Sequence, residues 1–172
     1  ADKIVHLGDT NTFIRFPDAG DIISQRAVEI SPEDDAATLY KKVIENALQQ
    51  LEELLPLLQA GKESRRQQDH LVGNSWRKRS EPDGRIDWRI SAEGIRNLVR
   101  GLAKPYVGAH FLRNGDIVKV WECEATDCDA RNIEPGKVIL LNDERYGVKC
   151  GEGALVLTKT EPYIQISLGE YL

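Results

Sequence analysis

An apolar stripe between positions 36 and 58 constrains the fold of this chain more than any other feature of its sequence. Its members recur at steps of three and four, which places them on one face of an α-helix. Ser31 is expected to cap this helix, and Pro32 is expected to occupy its first position. Pro56 should kink or end the regular part, and Gly61 should close it. The stripe predicts packing against the body of a domain, and its residues are Ala36, Leu39, Val43, Ile44, Ala47, Leu48, Leu51, Leu54, Leu55 and Leu58.

Short extended segments precede this helix. In "KIVHL" (3–7) and "TFIRF" (12–16), β-branched and aromatic residues alternate with polar ones, which is typical of strands. "DAGDII" (18–23) turns the chain, and "IISQRAVEI" (22–30) reads as a further extended run. After the helix, residues 62–82 are polar, charged and broken by Gly, which indicates a linker.

The carboxyl-terminal part predicts a second helix followed by a small β structure. "RIDWRI" (85–90) reads as a short extended piece, and Ser91 is expected to cap a helix whose apolar face includes Ile95 and Val99. Asn114-Gly115, between two alternating runs, is a strong hairpin signal. Five short strands follow one another within about 60 residues, a density that favours a small barrel over a broad sheet.

Charge and composition exclude several functional classes. The net charge of −5 lacks the basic excess typical of a dedicated nucleic-acid binder. No apolar run is long enough to span a membrane, and the start lacks the layout of a secretory signal. The cysteines Cys123 and Cys128 lack zinc-site spacing, so reduced thiols and no metal site are expected. Since the chain contains no Met, its first residue is not expected to be the natural start.

Two motifs carry a resemblance to a known family. "DGRIDW" (83–88) and "KPYVGAHF" (104–111) follow the D-x-G-D-I-I turn, the capped helix and the basic linker in an order that is similar to one enzyme family. The chain resembles the carboxyl-terminal part of formyltransferases that depend on 10-formyltetrahydrofolate. Methionyl-tRNA formyltransferase and the sugar-nucleotide N-formyltransferases share this layout.

The resemblance implies an α+β fold in three parts. Residues 1–61 would be the end of a Rossmann-like formyltransferase catalytic domain, consisting of strands and the long helix. Residues 62–82 would be the linker, and residues 83–172 a short helix with an OB-like barrel. The folate site and the catalytic Asn and His of the family would precede Ala1, so the chain alone is predicted to be inactive in formyl transfer.

The family resemblance also implies site residues. The catalytic carboxylate of the family falls on Asp18, whose alternative role is an Asx-type turn that bonds its own backbone. Gly20 and Asp21 would lie beside the substrate or the cofactor, 10-formyltetrahydrofolate, and Gly20 would let the backbone pass close to it. The linker residues Arg77, Lys78 and Arg79 are candidate anion contacts, with a solvated linker as the alternative.

The acceptor amine is the least determined feature. Between Lys104 and Leu172 eleven acidic residues outnumber eight basic ones, and such a barrel would repel a polyanion. This balance favours the amine of a nucleotide-linked sugar over initiator tRNA, which stays the alternative. A binding module for nucleic acid or protein, without enzymatic activity, is a second alternative. We further expect a cytoplasmic location and no membrane contact. A homodimer is an open possibility.

Overall fold

A computed structural model describes residues 3–6, 12–15, 20–68, 77, 79–142 and 145–172 of the chain. Residues 3–6 and 12–15 are described by their backbone alone. The chain divides into two compact units. The first contains residues 1–34 and 38–78, and the second contains residues 35–37 and 79–172.

The first unit contains a hairpin, an extended segment and one long helix. Strands β1 (Lys3–His6) and β2 (Thr12–Arg15) pair antiparallel, as the sequence predicts. The predicted extended run at 22–30 forms no strand, and its Ile22 makes an isolated bridge. Helix α1 (Ala36–Gln59) follows, and it continues through Pro56, so of the two predicted effects of Pro56, a kink or an end, the structure contradicts the end.

Helix α1 begins four residues later than the sequence suggests. Residues 31–34 form a turn in which the Asp34 amide donates to the Ser31 carbonyl at 3.1 Å. The Asp34 carboxylate accepts from the Ser31 amide at 2.7 Å and from the Thr38 hydroxyl at 3.0 Å. Helix α1 therefore begins after this turn, and Ser31 does not immediately precede it as the N-cap prediction requires. The other end is as predicted, because Gly61 adopts a φ of 64° and donates to Leu58 in a Schellman-type closure.

The apolar stripe of α1 is not buried among the described residues, contrary to the sequence-based expectation. Five of its members are between 38% and 56% exposed. They follow the alternating steps of four and three of a heptad seam, and 100° per residue puts them within one narrow face. A different face contacts the extended segment, where Gln50 donates to Ser24 at 2.6 Å. The five exposed residues are Ile44, Leu48, Leu51, Leu55 and Leu58.

The second unit is built on a five-stranded antiparallel open sheet. Its spatial order is β3-β4-β7-β6-β5, which leaves β3 and β5 at the edges. Asn114 and Gly115 turn β3 into β4 with φ angles of 54° and 91°, so the predicted hairpin is confirmed. The strands are β3 (Ala109–Arg113), β4 (Asp116–Thr126), β5 (Val138–Asn142), β6 (Arg145–Lys149) and β7 (Ala154–Glu161).

Helix α2 (Ala92–Gly101) covers one face of this sheet. Ser91 caps it as predicted, because its hydroxyl accepts from the Gly94 amide at 3.1 Å. Ile95 and Val99 are fully buried among strand residues, and Trp88 packs against Phe111 with ring centroids 5.6 Å apart. The helix and the sheet thus share one hydrophobic core.

The segment before α2 is only partly extended. A short 3-10 helix spans Glu81–Gly84, after which the Ile86 amide donates to the His110 carbonyl at 2.7 Å. The chain then turns at Trp88, so "RIDWRI" is not one extended piece. Ile86 and Trp88 are buried, at 6% and 7% exposure. Tyr106, by contrast, has an exposed side chain.

The carboxyl-terminal tail contacts both edge strands of the open sheet. At the β5 edge, the Val138 amide donates to the Glu170 carbonyl at 2.7 Å. At the β3 edge, the Arg113 guanidinium donates two hydrogen bonds, of 2.6 and 3.0 Å, to the Glu170 carboxylate. A single tail residue therefore connects the two edges. In the described part of the chain, no helix combines the length and apolarity needed to cross a bilayer.

Candidate functional site

The D-A-G-D turn is described from its glycine onward. Gly20 and Asp21 are both exposed, and they lead into the half-buried Ile22. Asp18, the predicted catalytic carboxylate, lies outside the described residues, two positions before Gly20 in the sequence. The turn therefore presents a small residue and a carboxylate on the surface of the first unit.

The start of the predicted linker is paired with this turn. The Ile22 amide donates to the Arg66 carbonyl at 2.8 Å, and the Arg66 amide donates to the Ile22 carbonyl at 3.0 Å. These two bonds form an isolated antiparallel bridge. Residues 63–68, called the strap below, are thus ordered against residues 20–25, although the sequence predicts a solvated linker.

Two side chains of the strap add further hydrogen bonds. The side-chain amide of Gln68 donates to the main-chain carbonyl of Gly20. At the other end, the guanidinium of Arg66 donates to the side chain of Gln25. The six residues 20–25 are therefore held at both ends and, through Ile22, between them.

An ion pair gives the strap a local electrostatic character. The carboxylate of Glu63 is only 11% exposed and accepts two hydrogen bonds from Arg65. Hydrogen bonding to Arg65 lowers the pKa of Glu63. Glu63 in turn raises the pKa of Arg65, and the nearby charge of Asp21 raises it further. Arg65 thus brings a permanent positive charge close to the exposed carboxylate of Asp21.

Helix α1 supports the segment that follows the turn. Arg26 donates to Gln49 at 3.3 Å and pairs with Glu53. Near the helix start, Lys42 binds the Asp34 carboxylate and donates to the main-chain carbonyl of Glu29 at 3.3 Å. The pKa of Asp34 is held well below its usual range, first by Lys42 and then by the Ser31 amide. Hydrogen bonds and ion pairs therefore connect the segment after the turn to both the strap and helix α1.

The structure describes two of the three basic linker residues. Arg77 is exposed and belongs to the first unit, whereas Arg79 is exposed and belongs to the second. Lys78 lies outside the described residues. Their predicted role as anion contacts therefore stays a prediction.

Trp121 of the second unit lies among polar and charged side chains. It is only partly buried, and its indole N–H donates to Glu161 at 2.7 Å. The ammonium groups of Lys104 and Lys119 lie 4.8 and 5.7 Å from the centroids of its rings. The indole of Trp121 also packs against Gly108, so closely that an added Cβ at Gly108 would lie 2.9 Å from the ring. Its surroundings are those of a polar surface cluster.

The three thiols are free. Burial raises the pKa of Cys123 to about 12 and that of Cys150 to about 11. Protonated thiols at these positions are poor nucleophiles and poor metal ligands. Among the described residues, no three His, Cys, Asp or Glu side chains are grouped so that they could hold a metal ion.

Sequence reasoning missed the contribution of the strap. "ESRRQQ" (63–68) was assigned to a solvated linker because it is polar and lacks hydrophobic periodicity. Its ties to residues 20–25 join positions that are separated by the whole of α1. The only local signal was the concentration of side chains with several donors, Arg65, Arg66 and Gln68, directly after the helix.

Comparison with known proteins identifies relatives of this chain. The family described as formyl transferase, C-terminal domain, matches residues 78–165. A curated methionyl-tRNA formyltransferase of Caldanaerobacter subterraneus subsp. tengcongensis is 34% identical over 157 residues, which are 90% of this chain and 50% of that protein. The chain therefore spans about half the length of this relative.

Solved structures share the fold. An N-formyltransferase from Helicobacter canadensis, in complex with folinic acid and dTDP-3-aminofucose, superposes with a TM-score of 0.60 at 14% identity. The match covers 86% of this chain and 54% of that one. HypX from Aquifex aeolicus superposes with a TM-score of 0.59 at 21% identity, covering 87% of this chain and 27% of that one. At these identities the similarity shows the fold alone.

Proposed function

Because this chain belongs to the family of formyl transferase C-terminal domains, we propose that it is part of an enzyme that transfers a formyl group from 10-formyltetrahydrofolate to an amine. The acceptor that we propose is the amine of a nucleotide-linked sugar. The family match carries the reaction class, and the acceptor rests on the charges described below.

The finer architecture is part of the proposal. Residues 1–61 are the end of a Rossmann-like catalytic domain, residues 62–82 the linker, and residues 83–172 the carboxyl-terminal domain. The exposed heptad stripe of α1 supports the first assignment, since a continuous row of exposed large apolar side chains on a helix needs a partner surface. The missing surface would be the sheet of the catalytic domain.

The tail supports the proposed OB-like barrel. Glu170 connects the β3 edge through Arg113 and the β5 edge through Val138. A connection between both edges of a five-stranded sheet is what closing a small barrel requires, because closure removes the exposed edges. The tail would therefore complete the barrel.

The D-A-G-D turn is the part of the catalytic centre that we assign to this chain. Asp18 would orient the histidine of the missing part and assist proton movement from the amine. Gly20, which is exposed and has no side chain, leaves room for a ligand against the backbone, and Asp21 adds a carboxylate beside it. The folate would supply the formyl group. A carboxylate of this kind acts as one member of a cooperating set of residues, so we do not assign turnover to Asp18 alone.

The charges of the second unit favour a small acceptor over a polyanion. Seven of the eight cations after position 103 contact a carboxylate or an aromatic ring, and Lys149 is buried against main-chain carbonyls. A surface that neutralises many phosphates needs cations that are available to them. The seven are Lys104, Arg113, Lys119, Arg131, Lys137, Arg145 and Lys159.

The basic residues of the linker suit a diphosphate. Arg77, Lys78 and Arg79 are consecutive, and the two described ones are exposed. A nucleotide sugar carries two linked phosphates, and guanidinium groups bind phosphate oxygens with paired donors. We therefore propose that these three residues contact the diphosphate of the acceptor.

Methionyl-tRNA is the second candidate acceptor. A specific observation favours it, because the curated relative at 34% identity is a methionyl-tRNA formyltransferase. In that case the same linker cations would contact tRNA phosphates. The two candidates differ in salt dependence, since binding to many phosphates weakens steeply with ionic strength.

The test uses the complete polypeptide that contains this chain, supplied with 10-formyltetrahydrofolate. Formylation of amino-sugar nucleotides with no formylation of methionyl-tRNA is the expected result, and the 172-residue chain alone is the matched inactive control. Formylation of methionyl-tRNA alone would select the second acceptor. Absence of formyl transfer to either acceptor would overturn the proposed function.

A further inference from the structure

We propose that Gln68 is a positioning residue for the D-A-G-D turn, and that it acts by holding the main-chain carbonyl of Gly20. The inference rests on the proposed function, because Asp18 takes its catalytic role from that assignment. Gln68 itself would touch neither substrate nor cofactor. It acts through the main-chain carbonyl of Gly20, two residues after Asp18 in the sequence.

The strap is held to the turn by three separate sets of contacts. The paired main-chain bonds between Ile22 and Arg66 set the register of the two segments. The Gln68 side chain binds the segment at its start, and the Arg66 side chain binds Gln25 further along. Of these contacts, only that of Gln68 acts inside the D-A-G-D sequence.

Two side chains of the strap are partly removed from solvent. Gln68 is half-buried, and the Glu63 carboxylate, paired with Arg65, is nearly buried. A glutamine amide in such a place is oriented by its donors and acceptors, and its bond to a carbonyl fixes the direction of that peptide unit. The contact therefore restrains the rotation of the peptide that follows Gly20.

A glycine is the residue whose backbone most needs such restraint. Gly20 has no Cβ, so its φ and ψ angles are limited by contacts and not by its own side chain. Gly20 is two residues from Asp18 in the sequence, and small misplacements of a catalytic group cost large factors in rate. Removing the Gln68 donor should thus slow the reaction without removing any group that binds substrate.

The first experiment measures steady-state formyl transfer by the complete polypeptide. Gln68→Ala should lower kcat by roughly five- to tenfold, the effect of about one lost hydrogen bond, and leave KM for the formyl donor within about twofold. The matched control is Gln67→Ala, which makes the same chemical change at the exposed neighbouring position. It should keep parental kcat and KM.

An isosteric variant separates the donor from the volume of the side chain. Gln68→Glu keeps the shape but replaces the donor by a carboxylate that faces the Gly20 carbonyl, so its kcat should fall at least as far as that of Gln68→Ala. Parental kcat in the Gln68→Glu variant would overturn the proposal. Equal losses in the Gln67→Ala and Gln68→Ala variants, or a loss that appears only in KM, would also overturn it.

A second readout uses the 172-residue chain itself. Gln68→Ala should speed hydrogen exchange at the Ile22 amide, which is bonded to Arg66, and leave the Ile95 amide of α2 unchanged. Unchanged exchange at Ile22 would contradict the role of Gln68 in holding the segment. If Asp18→Asn abolishes formyl transfer while Gln68→Ala is parental, this proposal fails and the proposed function stands. Full activity of Asp18→Asn removes both the catalytic assignment and the premise of positioning.

Discussion

Ile22 and Arg66 exchange two main-chain hydrogen bonds, of 2.8 and 3.0 Å, although the whole of helix α1 separates them in sequence. The bridge returns the chain after the helix to the turn before it. It therefore joins the segment that carries the candidate catalytic carboxylate to the segment that leads into the second unit. Stability and activity of this region should depend on side chains from both.

Asp34 should make the first unit sensitive to acid. Its buried carboxylate is bound first by Lys42 and then by the Ser31 amide, which hold its pKa well below the usual range. When folding lowers the pKa of a group, the group stabilises the fold. This contribution is fully present at pH values above the pKa of the unfolded state, about 4, and it is lost as the pH falls through the pKa of the folded state.

The measurement is the unfolding of helix α1, followed by circular dichroism between about pH 6 and about pH 2. The Asp34→Asn variant should be less stable than the parent near neutral pH, and the difference should shrink as the solution is acidified. Asp129→Asn is the control, because the Asp129 side chain is 81% exposed in its ion pair. A constant difference between parent and Asp34→Asn at every pH would contradict the account.

Gly151 is predicted to accept no side chain. A Cβ at this position would lie 1.9 Å from the carbonyl oxygen of Arg89, and the Gly151 amide donates to Trp88 and Ile90 at 2.9 and 3.0 Å. The Gly151→Ala variant must push this loop away from the start of α2, at a cost of more than about 2 kcal/mol.

Denaturant unfolding of Gly151→Ala measures this cost, and Gly101→Ala provides the matched control. Gly101 ends helix α2, and a Cβ there meets nothing within 4 Å. This second variant should gain up to about 1 kcal/mol, because alanine favours the helix and restricts the unfolded chain. Equal unfolding midpoints for the two variants would show that the Gly151 loop is not close-packed.

Arg113 should hold the carboxyl-terminal tail against the sheet. Its two hydrogen bonds to Glu170 form a fork, and both side chains are about one quarter exposed. Arg113→Met should cost about 1–2 kcal/mol, and Arg113→Lys should recover only part of this because lysine lacks the paired donors.

Hydrogen exchange reads out the position of the tail directly. The Val138 amide, which donates to the Glu170 carbonyl, should exchange faster in Arg113→Met. Arg131→Met removes the ion pair with Asp129, whose partners are 86% and 81% exposed, and should change stability by less than about 0.5 kcal/mol. Unchanged Val138 exchange in Arg113→Met would show that the tail is held by other contacts.

Features decided by neighbouring residues could be predicted from the sequence. The Asn114-Gly115 hairpin follows from backbone angles that these two residues tolerate, and the Ser91 cap follows from one hydroxyl within reach of Gly94. The motifs at 83–88 and 104–111 were sufficient to indicate the family. Each of these depends on local chemistry, which a sequence states directly.

Features decided by competition or by distant partners could not be predicted in this way. The predicted cap, Ser31, lies five residues before the first residue of α1, and the Asp34 carboxylate between them binds both the Ser31 amide and the Thr38 hydroxyl. The strap depends on bonds such as Gln68 to Gly20 that have no periodic signature. Periodicity correctly predicted α1 and its apolar face, but it does not say which surface covers that face.

The most direct test of the account is formyl transfer from 10-formyltetrahydrofolate by the complete polypeptide carrying Asp18→Asn, with Asp129→Asn as a control at an exposed acid. The account predicts that Asp18→Asn lowers kcat by about a hundredfold or more, as expected for a positioned group that assists proton transfer. It also predicts parental turnover for Asp129→Asn. Parental turnover of Asp18→Asn would contradict the claim that the D-A-G-D turn carries part of the catalytic centre.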